Sequence, residues 1–207
     1  MRRAGCWLLW IVAGLVAGCQ PPGIATLPAI EVYFSPHGGC TDAVVREIES
    51  ARLTILVQAY SFTSAPIARA LVDARKRGVR VQAILDKSAL KENYTEADFL
   101  SQMGVPTRVD AEHAIAHNKV MIIDGQEVLT GSFNFTRQAE TSNAENLLVI
   151  RSAALAREYT ANWQFHAAHS EPYAGRQSRG ESPRREEGGY NALHGGGRKE
   201  RIPALPW

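Results

Sequence analysis

His117 and Lys119 stand two residues apart, so on a β-strand both side chains leave the same face. Asp124 lies beyond that strand, at an Asp124-Gly125 turn. Across the turn, Gly131-Ser132-Phe133-Asn134 brings a backbone approach point, a hydroxyl and an amide back to the strand end. An imidazole, an ammonium and neutral donors meeting at one place suit the chemistry of a phosphodiester. Lys119 and Asn134 would take the nonbridging oxygens, while His117 attacks phosphorus or protonates the leaving oxygen. With those donors supplying the electrostatics, the site is expected to need no metal and no cofactor.

Other reactive residue types read more plainly. His37 beside Gly38-Gly39 is a loop residue, and His113, though close to His117, has different neighbours. His166 and His169 fall on or just after the last helix, where a surface role is expected, and no run of residues has metal-ligand spacing. Cys40 would be left unpaired if Cys6 and Cys19 belong to a targeting segment, so no disulfide framework is expected. No Cys-His signature surrounds it, and a buried structural thiol is the expectation. Arg75-Lys76-Arg77 reads as a solvated helix end that complements the helix dipole.

The elements that must position the site follow from periodicity. Strands are expected at Ile30–Phe34, Leu53–Tyr60, Val79–Leu85 and Val105–Val109. Helices are expected over Thr41–Ala51, from Pro66 to the stop at Gly78, and over Ala97–Met103. Lys119–Ile123 and Glu127–Thr130 flank Asp124-Gly125 as a hairpin, with a strand at Glu145–Ile150 and a helix at Ala153–His166 behind them. Strands alternating with helices predict an α/β fold: a mixed, largely parallel sheet flanked by helices on both faces.

Composition bounds the rest. The 207 residues suffice for one domain of ordinary size, and 45% hydrophobic residues with 21% charged exclude wholesale disorder and a multi-span membrane protein. The net charge of +2 hides an asymmetry, because residues 20–173 carry fourteen Lys/Arg against seventeen Asp/Glu. Phosphate binding must therefore come from a local arrangement rather than a basic surface.

The termini read as appendages. Arg2-Arg3, the apolar run from Trp7 to Val16 and Leu15-Val16-Ala17-Gly18-Cys19 suggest a signal segment over residues 1–18, similar to a bacterial lipobox. Cys19 would then carry a lipid and tether the protein to a membrane, with Gln20 pointing to the outer membrane of the cell envelope. Ordinary secretion and an uncleaved anchor are the alternatives. Residues 19–29 read as a tether, 30–170 as the catalytic domain and 171–207 as a Gly- and Arg/Glu-rich disordered tail.

His117-x-Lys119-x4-Asp124-x6-Gly131-Ser132-x-Asn134 resembles the HxKxxxxD…GSxN signature of the phospholipase D superfamily. Ala59-Tyr60-Ser61-Phe62-Thr63-Ser64, Gly131–Thr136 and Asn143-Ala144-Glu145-Asn146 are similar to its small single-motif bacterial endonucleases. The resemblance covers about residues 30–168. It implies that His117 is the phosphohistidine nucleophile or the acid, that Lys119 and Asn134 hold phosphate, and that Ser132 lines the pocket. It further implies that Glu145 orients the histidine, while Asp124 belongs to the motif but sits where a structural cap would. The substrate expectation is nucleic acid, with a phosphatidylcholine-type lipid as the alternative. A mechanism that needs two histidines in a chain with one motif implies a homodimer with a shared site.

Overall fold

A computed structural model describes residues 28–92 and 95–175. Signal segment, tether up to residue 27 and the tail beyond Gly175 lie outside the described residues. Eight strands form one sheet in the order β1-β7-β6-β5-β2-β3-β4-β8. In chain order the elements are β1 (Ala29–Ser35), α1 (Cys40–Ser50), β2 (Thr54–Ala59), α2 (Ala65–Lys76) and β3 (Arg80–Asp86). Then come α3 (Ala97–Gln102), β4 (Thr107–Asp110), the hairpin β5 (Lys119–Ile123) and β6 (Glu127–Gly131), α4 (Arg137–Thr141), β7 (Glu145–Arg151), α5 (Ala153–His169) and β8 (Glu171–Pro172).

The expected α/β class and flanking helices are present, but the sheet is mixed and mostly antiparallel. Only β2-β3 and β3-β4 pair in parallel. The remaining five ladders run antiparallel. The cause is the hairpin. Once β5 enters antiparallel beside β2, the short β5–β6 turn and the return of β7 fix the orientation of half the sheet.

Strand alternation builds two cores. Met121 and Ile123 of β5 face the layer of α1, α2 and α3 with Ile55, Val57, Ala83 and Leu71. Val120 and Ile122 face α5, where they pack with Leu56, Ile84 and Trp163. The Trp163 indole N–H donates to the Val57 carbonyl at 2.9 Å, fixing α5 against the centre of the sheet.

Local signals place the ends of these elements. Pro lies in the first turn of α2 and Gly78 follows it at φ 96°, the left-handed stop its position predicts. Asp124 and Gly125 both have positive φ, 53° and 64°, as a two-residue hairpin turn requires. Ser152 accepts from the Leu155 N–H and opens α5. That helix runs three residues further than periodicity suggested. The folded body also passes residue 170: β8 pairs with β4, and Tyr173 is buried with its N–H on the Thr107 carbonyl. The catalytic domain therefore includes 171–173, which the sequence had placed in the tail.

Candidate active site

Apart from Asp124, the strand ends that carry motif chemistry lie on one edge of the sheet. Ala59 ends β2 opposite Lys119, which begins β5. Gly131 ends β6 beside Leu147, two residues into β7 from Glu145. Asp86 and Asp110 end β3 and β4 in register on the same edge.

His117 is not on the strand. It sits exposed in the loop before β5, whereas Lys119 is buried as the first residue of β5. The shared strand face expected for the pair is therefore absent, and the two meet instead across Tyr60. The imidazole lies 4.6 Å from the Tyr60 ring centroid, and the Lys119 ammonium lies 5.1 Å from it. The ammonium also donates to the His117 carbonyl at 2.8 Å. Tyr60, expected as the last residue of its strand, instead follows β2 directly, and its aromatic type at the end of a buried strand is the signal that marks it.

Further hydrogen bonds hold the loop that presents His117. The Ala116 N–H donates to Asp86 Oδ2 at 2.7 Å, and the Lys87 ammonium donates to the His113 carbonyl at 2.7 Å. The Asn118 carbonyl accepts from the Tyr60 N–H at 2.8 Å. No hydrogen bond to the His117 ring nitrogens forms among the described residues, and the residue is exposed.

Ser132 and Asn134 arrive on a loop nailed down by its aromatics. Phe133 and Phe135 are fully buried, and the Phe135 carbonyl accepts from both the Thr63 and Ser64 N–H groups. Ser132 is tied to Asn146: its hydroxyl accepts the Asn146 N–H at 3.0 Å, and its own N–H reaches the Asn146 carbonyl at 3.1 Å and the Asn146 side-chain oxygen at 3.4 Å. Gly131 is obligatory, since a Cβ there would sit 2.2 Å from that carbonyl. Asn134 holds a buried amide oxygen that no described group satisfies.

Glu145 departs from the role the resemblance implied, whereas Asp124 is the structural cap its turn position suggested. Glu145 accepts from the Asn143 amide at 3.1 Å and makes no hydrogen bond with His117. Its charge acts on Lys119: burial lowers the lysine pKa, and Glu145 opposes that shift. Asp124 stands at the far end of β5, ~16 Å from Lys119 at strand rise. There its carboxylate accepts the Arg52, Leu53 and Thr54 N–H groups at 2.7–2.9 Å. It caps the start of β2 and takes no part in the site.

Cys40 is buried and unpaired, its thiol pushed up to about 11 by burial and by Glu140 and Glu145, as a structural thiol should be. His37 is an exposed loop residue, as expected. His113, His166 and His169 are not the scattered surface groups their spacing suggested. They converge on Asp110, with His166 buried.

Comparison with known proteins agrees with the motif. Residues 44–166 match the family model described as "Cardiolipin synthase, PLD-like domain". A protein named phospholipase D from Rickettsia bellii is 42% identical over 141 residues, covering 68% of this chain and 70% of the relative. The chain belongs to the phospholipase D superfamily. It is a phosphodiesterase of that superfamily, with the fold of Nuc from Salmonella typhimurium. That phospholipase D family member is 38% identical with a TM-score of 0.68, covering 72% of this chain and 99% of its own. A mitochondrial cardiolipin hydrolase from Mus musculus is 28% identical over 146 residues, covering 70% of this chain and 66% of the relative.

Proposed function

We propose that this phospholipase D-superfamily chain hydrolyses phosphodiester bonds in nucleic acid, cutting internally, through a phosphohistidine on His117. The observation that carries the reading is the convergence of exposed His117 and buried Lys119 on Tyr60, at the end of the sheet to which Gly131 returns the Ser132–Asn134 loop. In the first step the His117 nitrogen bonds to phosphorus, the bond to the leaving oxygen breaks, and a second imidazolium gives that oxygen its proton. Water then attacks phosphorus, the second imidazole takes the water's proton, and the N–P bond breaks. Lys119 and Asn134 hold the nonbridging oxygens throughout.

Each chain has one histidine followed two residues later by lysine, so the second imidazole comes from a second copy. A two-fold axis through the site sets His117, Lys119 and Asn134 of both chains around one phosphorus. The interface comprises the segments around 113–120 and 131–137. Exposed apolar side chains at this edge, Ile115 and Phe34, supply surface for it. The chain is held to the outer membrane through a lipid on Cys19; labelling with a fatty-acid analogue, lost in Cys19→Ala, tests that point.

Nucleic acid is favoured by the resemblance of residues 59–64 and 131–136 to the single-motif endonucleases and by the exposure of His117. A lipid substrate is the second reading, favoured by Ile115 standing 56% exposed two residues before His117 and by the names of the Rickettsia and mouse relatives. Turnover of single-stranded DNA against phosphatidylcholine and cardiolipin vesicles decides. Faster cleavage of DNA supports the nuclease, and headgroup release with intact DNA overturns it.

A further inference from the structure

Asp110, His113, His166 and His169 each offer a ligand atom, and these four atoms lie within 4.8 Å of one another. The cluster joins the end of β4, the loop leading to His117 and the last turn of α5. In sequence it is two pairs spaced i, i+3, Asp110/His113 and His166/His169, the second pair on a helix that sets both imidazoles on one side.

The geometry is awkward for hydrogen bonding alone. Three ring nitrogens approach the single oxygen Asp110 Oδ2: His166 Nδ1 at 2.8 Å, His113 Nδ1 at 3.1 Å and His169 Nε2 at 3.3 Å. A carboxylate oxygen has two lone pairs in plane, so three N–H donors crowd it. Ligands at 2.0–2.1 Å around a tetrahedral Zn²⁺ are separated by ~3.3 Å, close to the 2.8–3.3 Å between Asp110 Oδ2 and the three ring nitrogens, with all four atoms within 4.8 Å of one another.

The surroundings also fit a cation site. Asp110 is fully buried, with its carboxylate facing His166, His113 and His169. The Glu112 carboxylate lies 3.9 Å from His169 Nδ1, the nitrogen not directed at Asp110, where an outer carboxylate orients a ligating imidazole. Phe165 covers the His166 and His169 rings edge-on, at 5.6 and 5.3 Å between centroids. Three imidazoles and one carboxylate are a donor set for a borderline divalent ion, and four protein ligands leave no open position.

We propose that Asp110, His113, His166 and His169 form a structural Zn²⁺ site, separate from the His117 centre, that clamps α5 and the loop before His117 to the end of β4. The ion has no catalytic task here. It secures the loop four residues upstream of the nucleophile, at the edge strand pair β4–β8.

Full-length protein purified without a polyhistidine tag and stripped with chelator is titrated with Co²⁺ and then Zn²⁺. One equivalent of Co²⁺ should give the visible absorption of a tetrahedral site, and Zn²⁺ should abolish it. Saturating Zn²⁺ should raise Tm by ~5–10 °C when free ion exceeds Kd about 100-fold. His113→Gln, at the most exposed of the three imidazoles, and His169→Gln should each weaken binding by ~100-fold or more. A wild-type chain that shows neither the absorption nor the Tm shift overturns the site. So do the two variants if they remain folded and keep both signals.

Discussion

At the scale of single residues, position within the motif does not decide role. Asp124 is part of the signature, yet its carboxylate is spent on three backbone N–H groups at the opposite end of β5 from Lys119. Asp124→Ala is expected to lower stability by about 2 kcal/mol while kcat of the folded protein stays near wild type. His117→Ala should do the reverse, cutting turnover by roughly 10⁴-fold or more with an unchanged circular dichroism spectrum and Tm. Parallel assays of both variants check the assignment. An Asp124→Ala enzyme that folds normally but turns over as poorly as His117→Ala would count against it. Glu145 is the subtler case, because the resemblance placed it on the histidine whereas its charge acts on Lys119 in this chain.

The elements were largely legible, since each has one strong local signal. An apolar run ahead of the turn marked Lys119–Ile123, paired positive-φ residue types marked the Asp124-Gly125 turn, and a proline and a glycine bracketed α2. What was not legible depended on partners remote in sequence. Antiparallel β1–β7 pairing, the pairing of β8 and the burial of Tyr173 are tertiary facts with no local pattern. The histidine cluster was hidden in the same way, because Asp110 and His166 are 56 residues apart although each i, i+3 pair was visible.

One element-scale consequence concerns Glu127, at the start of β6. Burial, then the charge of Glu47, pushes its carboxyl up to about 7 from 4.5, against the pull of Arg151. Between those values the folded chain holds a proton that the unfolded chain releases, so stability falls as pH rises through this window. Glu127→Gln should flatten that slope and stabilise the protein by about 1–3 kcal/mol at pH 8. Denaturant titrations at pH 5 and pH 8 measure it, and an equal slope in the variant would refute the shift.

For the whole molecule, the two centres on one sheet edge separate chemistry from architecture. Excess EDTA should leave the initial rate within ~two-fold at a temperature well below unfolding, because Lys119 and Asn134 supply the charge stabilisation. The same treatment should lower Tm through the histidine cluster. A rate that collapses with EDTA and returns only with metal, while Tm stays constant, would place the ion in the chemistry instead.

The central claim is that one motif per chain makes a working site only when two chains share it. Wild-type protein is mixed with His117→Ala protein over a range of ratios, allowed to exchange subunits, and assayed at constant total concentration. With one composite site on the two-fold axis, mixed dimers are inactive, and activity falls with the square of the wild-type fraction. A linear fall, or full activity from a species that sediments as a monomer, would contradict the shared site.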